Sequence, residues 1–148
     1  MNAPSLDLLL ADDDIDDCLL FKEALDELQV PANLTTVFNG EDLMQFLLAK
    51  KDALPDILFL DLNMPRKNGF ECLSQIRSNE DLNALPVVIY STSSDANVIK
   101  QLHQHGAKYY IQKPTEFSLL KKVIQRALSL IYPQISPAAA EENFVIEP

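Results

Sequence analysis

The sequence has few basic residues and no long apolar run, and each shortage excludes a class of protein. Twelve Lys and Arg residues stand against 22 Asp and Glu residues, which gives a formal charge of −10. Nucleic acids and anionic membranes are bound by clustered Lys and Arg, so neither is an expected partner. No apolar run approaches the roughly twenty residues that span a bilayer. The first residues also lack the basic-then-apolar pattern of a secretory signal, and we therefore expect a cytoplasmic protein.

Cysteines are equally scarce. Cys18 and Cys72 are the only two in 148 residues, with neither CxxC spacing nor histidines nearby. A chain of this length can build a core without disulfides or a structural metal. We expect one globular unit in which both thiols are reduced and serve in packing.

Short β-rich runs alternate with helical patterns along the chain. The runs lie at residues 6–11, 35–38, 57–60, 87–91 and 109–111. Between them, apolar residues recur at helical spacing, and His105 with Gly106 is expected to end the fourth helix. Strands that alternate with helices predict a parallel sheet covered on both faces. The predicted fold is therefore α/β and doubly wound, with five βα units.

The end of the chain has a different character. Residues 133–142 combine two prolines, four alanines or serines and two glutamates, yet Phe144, Val145 and Ile146 follow. Sixteen residues cannot build a core of their own. The segment is either a frayed end or a piece that docks on this chain or on a partner. We expect a domain over residues 1–132 and a tail over 133–148, with no output domain.

Polar residues cluster where the predicted strands end. Asp12, Asp13, Asp14, Asp16 and Asp17 follow the first strand, Asp61 the third, Ser91 and Thr92 the fourth, and Lys113 the fifth. Ligands of open α/β sheets bind outside the carboxyl ends of the strands. So many carboxylates repel one another unless a cation lies among them. Asp14 is the expected N-cap of the first helix, with Asp16 and Asp17 favoured in its first turn.

Four stretches together resemble the receiver domain of two-component response regulators. They are Leu9–Asp14, Leu60–Pro65 with Gly69, Ser91–Thr92 and Lys113–Pro114. The resemblance covers roughly nine-tenths of the chain. It implies a flavodoxin-like five-stranded sheet in the order 2-1-3-4-5.

The resemblance also implies a role for each strand-end residue. Asp61 would accept a phosphoryl group as a nucleophilic carboxylate. Mg²⁺ would be held by the carboxylates of Asp13 and Asp61 and the backbone carbonyl of Asn63, with Asp12 as an outer partner. Lys113 would pair with the transferred phosphoryl group.

A switch is implied as well. In the family a hydroxyl at the end of the fourth strand bonds the phosphoryl group, and an aromatic residue of the fifth strand turns inward behind it. Ser91 matches this hydroxyl best, with Thr92 as the alternative, and Tyr110 matches the aromatic residue. The Lys113–Pro114 bond is expected to be cis. The surface that reports the switch would be formed by the fourth helix, the fifth strand and the fifth helix.

The implied protein is a stand-alone response regulator that signals by protein contacts. Its phosphoryl donor would be a sensor histidine kinase or a phosphotransfer protein, and its output a downstream protein target. Homodimerisation through the fourth and fifth helices is an option in this family. It would not be an enzyme, except in catalysing its own phosphorylation and dephosphorylation. The alternative is a metal-binding or purely structural interaction module that is never phosphorylated.

Overall fold

A five-stranded parallel sheet forms the centre of the molecule. The computed structural model describes residues 5–133 and 143–148. The strands are β1 (Leu6–Ala11), β2 (Ala32–Val37), β3 (Ile57–Leu60), β4 (Val87–Ser91) and β5 (Tyr109–Gln112). All pairs are parallel and the order is β2-β1-β3-β4-β5. The predicted fold class and strand order are therefore confirmed.

Helices cover both faces of the sheet. They are α1 (Ile15–Leu28), α2 (Gly40–Ala49), α3 (Gly69–Ser78), α4 (Ala96–Gln104) and α5 (Phe117–Ile131). One apolar cluster joins α1 and α5 to the sheet, and a second joins α2, α3 and α4 to the opposite face. β1, β3, β4 and the first three residues of β5 are almost wholly buried, which explains why they read as unbroken apolar runs. Within the described residues, no helix is long and apolar enough to cross a membrane.

Local signals fix the ends of the helices nearest to the strand ends. Asp14 caps α1, because its side chain accepts a hydrogen bond from the backbone amide of Asp17 at 3.1 Å. Asn68 caps α3 in a capping box with Glu71. α4 ends at His105 and is followed by Gly106 at a φ of 96°, a left-handed conformation that favours glycine. The predicted caps at Asp14 and at His105–Gly106 are thus confirmed.

The position of β2 differs from the prediction. The strand begins three residues earlier than residue 35, at Ala32, and ends at Val37. Each of its residues pairs with one residue of β1, from Leu6 with Ala32 to Ala11 with Val37. Backbone pairing with β1 therefore decides the limits of this half-buried edge strand, and the residue preferences at 35–38 do not.

The end of the chain returns to the sheet. Residues 143–148, called the C-terminal segment below, lie beside β5, where Val145 forms a parallel bridge with Tyr110. Ile146 is buried in the same apolar cluster as α1 and α5. The last residues are thus docked and not frayed. Residues 134–142, which supply most of the predicted linker, lie outside the described residues, as do residues 1–4.

Candidate functional site

Three carboxylates meet at the carboxyl end of the sheet. One oxygen from each of Asp12, Asp13 and Asp61 lies within 4.8 Å of the others. Asp12 and Asp61 are buried, whereas Asp13 is exposed. The neighbouring parallel strands β1 and β3 bring them together, since Ala11 pairs with Leu60 and Asp61 donates its backbone amide to Ala11. Of the three residues, Asp13 is therefore the one exposed to solvent.

Hydrogen bonds fix the Asp12 carboxylate. One oxygen accepts the backbone amide of Asp14 at 3.0 Å, and the other accepts the Lys113 ammonium at 2.7 Å. The backbone amide of Asp12 donates to Val37 of β2. A fully buried carboxylate with these partners is held in one orientation, which suits a group that positions a cation or a substrate.

Lys113 brings positive charge to the cluster from β5. Its ammonium lies 2.7 Å from Asp12, 2.9 Å from Asp17 and 3.8 Å from Asp61, and its side chain is only 9% exposed. The ammonium also lies over the ring of Tyr90, 5.2 Å from its centre. The contact with Asp17 was not predicted from the sequence, which assigned this residue only to the first turn of α1. No sequence signal marks this contact, because it joins residues 96 positions apart.

The surroundings of Asp61 make it easier to protonate than an ordinary aspartate. Burial raises the pKa of Asp61 to about 7, with a further increase from Asp12, while Lys113 and the backbone amide of Asn63 oppose the change. Burial alone would lower the pKa of Lys113, but hydrogen bonds to Asp12 and Asp17 outweigh it and the pKa is raised. The lysine is therefore charged at neutral pH, and added positive charge near Asp61 would favour its ionised form.

The backbone after β3 approaches the site closely. Gly69, the first residue of α3, donates its amide to Leu62 at 2.9 Å. A Cβ atom at this position would lie 2.4 Å from the carbonyl oxygen of Asp61. Only glycine fits without moving the backbone that carries the acidic residue, which gives a physical reason for Gly69 in the sequence pattern.

The two candidate hydroxyls at the end of β4 have different surroundings. Ser91 is fully buried, and its Oγ accepts the backbone amide of Ser93 at 3.2 Å. The Ser91 carbonyl accepts the backbone amide of Lys113, which joins β4 to the lysine. Thr92 is exposed, so of the two hydroxyls only that of Ser91 is buried.

Tyr110 lies inward. Its side chain is fully buried on the face covered by α4, while Tyr109 faces the opposite cluster, as alternation along a strand requires. The Tyr110 hydroxyl donates to the carbonyl of Ser93 at 2.6 Å. Burial raises the pKa of this phenol, and the nearby Ser91 and Ser93 act to lower it. The inward aromatic residue and the buried hydroxyl are thus both bonded to Ser93.

The expected cis bond before Pro114 is absent. The chain has no cis peptide bond among its described residues, so the Lys113–Pro114 bond is trans and that prediction was wrong. The trans form is the lower-energy isomer of an X–Pro bond. The lysine side chain reaches Asp12 and Asp17 from the trans backbone, so the placement of its charge does not depend on the cis form.

The donor set fits a small hard dication. Carboxylate oxygens are the ligands that Mg²⁺ and Mn²⁺ favour, and three of them converge here beside a single ammonium. The two cysteines are not the kind of ligand that such a cation favours, and both are free and buried. Burial raises the pKa of Cys18 to about 12 and that of Cys72 to about 11. Their predicted role in packing is confirmed.

Comparison with known proteins agrees with this geometry. The model of the response regulator receiver domain matches residues 8–125. Response regulator Rcp1 of Synechocystis sp. (strain ATCC 27184 / PCC 6803 / Kazusa) is 30% identical over 128 residues, which are 84% of this chain and 86% of Rcp1. The probable methanogenesis regulatory protein FilR2 of Methanothrix harundinacea (strain 6Ac) is 28% identical over 121 residues, covering 80% of this chain and 78% of FilR2.

Two solved structures are similar over most of the chain. The phosphorylated cyanobacterial phytochrome response regulator RcpA superposes with a TM-score of 0.80 at 30% identity, covering 91% of this chain and all of RcpA. The Mn²⁺-bound form of response regulator Rcp1 superposes with a TM-score of 0.77 at 26% identity, covering 93% of this chain and 99% of Rcp1.

Proposed function

This chain belongs to the response regulator receiver domain family, and we propose that it carries a signal by accepting a phosphoryl group on Asp61. The donor is the phosphohistidine of a sensor histidine kinase or of a phosphotransfer protein, and the output is a change in contacts with a downstream protein. The observation that carries the proposal is the buried Asp61 carboxylate beside Asp12, Asp13 and the Lys113 ammonium. The proposal includes a cytoplasmic location.

Each step has a residue suited to it. An Asp61 oxygen attacks phosphorus, the P–N bond to the donor imidazole breaks, and its electron pair stays on the imidazole nitrogen, which takes up a proton. Lys113 lies 3.8 Å from Asp61 and supplies positive charge where the phosphoryl oxygens arrive. The buried Ser91 hydroxyl at the end of β4 is the group that we propose to hydrogen-bond the transferred phosphoryl group.

A cation completes the charge balance. Asp12, Asp13 and Asp61 are the side chains that would hold Mg²⁺, and the backbone carbonyl of Asn63 is the further ligand we propose. When bound, Mg²⁺ offsets the repulsion between the attacking carboxylate and the anionic phosphoryl group. The similar Rcp1 structure that contains Mn²⁺ supports a divalent cation in this family.

Switching follows from the added charge. A phosphoryl group brings close to two negative charges and new acceptor oxygens next to Ser91. The Ser91 hydroxyl accepts the backbone amide of Ser93, and the Tyr110 hydroxyl donates to the carbonyl of the same residue, so Ser93 links the two side chains. We propose that the two side chains convey the state of Asp61 to α4 and β5, and that the phosphoryl group is later lost by self-catalysed hydrolysis.

Phosphorylation with a small donor tests this function. Intact mass spectrometry after incubation with acetyl phosphate should show one added phosphoryl group with Mg²⁺ and none with a chelator. Asp61→Asn should remove the increment, while Asp16→Asn, on an exposed neighbour of the site, should retain it. A wild type that binds Mg²⁺ but gains no phosphoryl group would support the alternative, a metal-binding interaction module.

A further inference from the structure

The C-terminal segment is bonded to one residue of β5. The backbone amide of Tyr110 donates to the carbonyl of Phe144 at 2.9 Å, and the amide of Ile146 donates to the carbonyl of Tyr110 at 2.8 Å. β5 is the last strand of the sheet, so this side of its backbone would otherwise face solvent. The segment therefore satisfies the outward amide and carbonyl of Tyr110.

Side chains anchor the segment on both sides of β5. The ring of Phe144 stacks on that of His103 in α4, with the centres 4.1 Å apart and the planes 9° from parallel. Ile146 is 5% exposed and packs into the cluster beneath α5. The guanidinium of Arg126 in α5 donates to the carbonyl of Glu147. The C-terminal segment thus joins α4, β5 and α5.

Phe144 also lies against the aromatic residue of the site. Its ring centre is 6.4 Å from that of Tyr110, and both side chains belong to the face covered by α4. The Tyr110 ring points the other way, towards Ser91 and Ser93, where its hydroxyl is bonded. An outward turn of Tyr110 towards the open edge would bring its ring against that of Phe144, whose centre lies 6.4 Å away, and two rings cannot fill the same space.

We propose that the C-terminal segment positions Tyr110 inward, and that docking of this segment and phosphorylation of Asp61 therefore strengthen each other. Phe144 is the positioning residue, acting through Tyr110 and not on the phosphoryl group itself. The coupling to phosphorylation rests on the proposed function of Asp61, whereas the inward position of Tyr110 does not. Coupling between two sites is reciprocal, so a segment that favours the inward ring also favours the state with the phosphoryl group bound.

The position of the ring can be measured directly. The chain has four tyrosines and no tryptophan, so protein labelled with 3-fluorotyrosine gives a short ¹⁹F NMR spectrum in which Tyr110→Phe assigns the Tyr110 signal. In Phe144→Ala and in a chain that lacks residues 143–148, we expect this signal to move or to split. Phe144→Tyr, which keeps the ring on His103, should restore it. Glu147→Ala changes an exposed side chain of the same segment and should leave the signal unchanged.

The coupling is measured by titration with beryllofluoride, a mimic of the phosphoryl group, in the presence of Mg²⁺. We expect its affinity to fall about fivefold or more in Phe144→Ala and in the shortened chain. Addition of beryllofluoride should return the Tyr110 signal of both variants towards that of the wild type. An unchanged Tyr110 signal and an unchanged affinity in both variants would overturn the inference.

The outcomes separate this inference from the proposed function. If wild type binds no beryllofluoride and accepts no phosphoryl group, the proposed function is wrong. The Tyr110 signal of the unliganded variants still reports whether the segment positions the ring. If wild type binds beryllofluoride and the shortened chain binds it equally well, the phosphorylation site stands and the coupling does not.

Discussion

The ammonium nitrogen of Lys113 lies 3.8 Å from a carboxylate oxygen of Asp61, across the carboxyl ends of three strands. It is held there by shorter bonds to Asp12 and Asp17, at 2.7 and 2.9 Å. The positive charge is thus in place before any phosphoryl group arrives. Preorganised charge needs no rearrangement when negative charge accumulates, which is how a protein lowers such a barrier.

Removing the lysine charge should destabilise the protein in a cation-dependent manner. Lys113→Met leaves buried carboxylates without their partner, and we expect the free energy of unfolding to fall by about 3 kcal/mol in the presence of a chelator. Mg²⁺ should reduce this loss, because a bound cation replaces part of the missing charge. Urea denaturation with and without Mg²⁺ measures both effects.

A matched variant is available on α5. Lys121 forms an ion pair with Glu27 at 3.2 Å, but its side chain is 34% exposed. Lys121→Met should cost less than about 1 kcal/mol. Equal losses for Lys113→Met and Lys121→Met would contradict the role given to the buried pair.

Asp17 should matter more than its neighbour Asp16. Asp17→Asn removes one of the two close partners of Lys113, and we expect a loss of about 1 kcal/mol of unfolding free energy. Lys113 would then be freer to pair with a phosphoryl group, so the phosphorylated form should lose that group more slowly. Asp16→Asn makes the same charge change on an exposed residue. If both variants behave alike in urea denaturation and in phosphoryl loss, the contact between Asp17 and Lys113 has no such effect.

The contribution of Asp61 to stability without divalent cations should fall as pH rises from about 4 to about 7. The pKa of Asp61 is raised from 3.8 to about 7, so between these values the folded state binds more protons than the unfolded state. Unfolding free energy therefore decreases with pH across this window. Asp61→Asn removes the effect and should be more stable than wild type at pH 8 by about 2 kcal/mol.

The check is the difference between the two proteins at several pH values. It should be small near pH 4 and grow towards pH 8 in chelator. A difference that does not change with pH would show that Asp61 titrates normally in the folded protein. Asp16→Asn serves as the control for the loss of one acidic charge from an exposed residue near the site.

Much of the site followed from the sequence because parallel strands end at one edge of the sheet. Asp12 and Asp61 come directly after apolar runs and Lys113 follows one after a single residue, and such runs are recognisable when both faces of a strand are buried. β2 was placed less well, because its residues are half-buried and its limits depend on pairing with β1.

Long-range contacts of single side chains were beyond prediction. The bond between Asp17 and Lys113 joins residues 96 positions apart, and it depends on how α1 sits on the sheet. The apolar residues Phe144, Val145 and Ile146 were recognisable as unusual for a linker. The place where they dock depends on the open edge of β5 and on stacking against His103, and no sequence pattern indicates either contact.

The most direct test of the proposed function is to find which residue carries the phosphoryl group. Borohydride reduces an acyl phosphate to the alcohol. Treatment with borohydride after incubation with acetyl phosphate and Mg²⁺ therefore traps the modified aspartate as homoserine, which peptide mass spectrometry locates. We expect homoserine at Asp61 and at neither Asp12 nor Asp13, and no trapped residue when Mg²⁺ is chelated. Trapping at another aspartate, or a phosphoryl group that survives in Asp61→Asn, would contradict the proposed function.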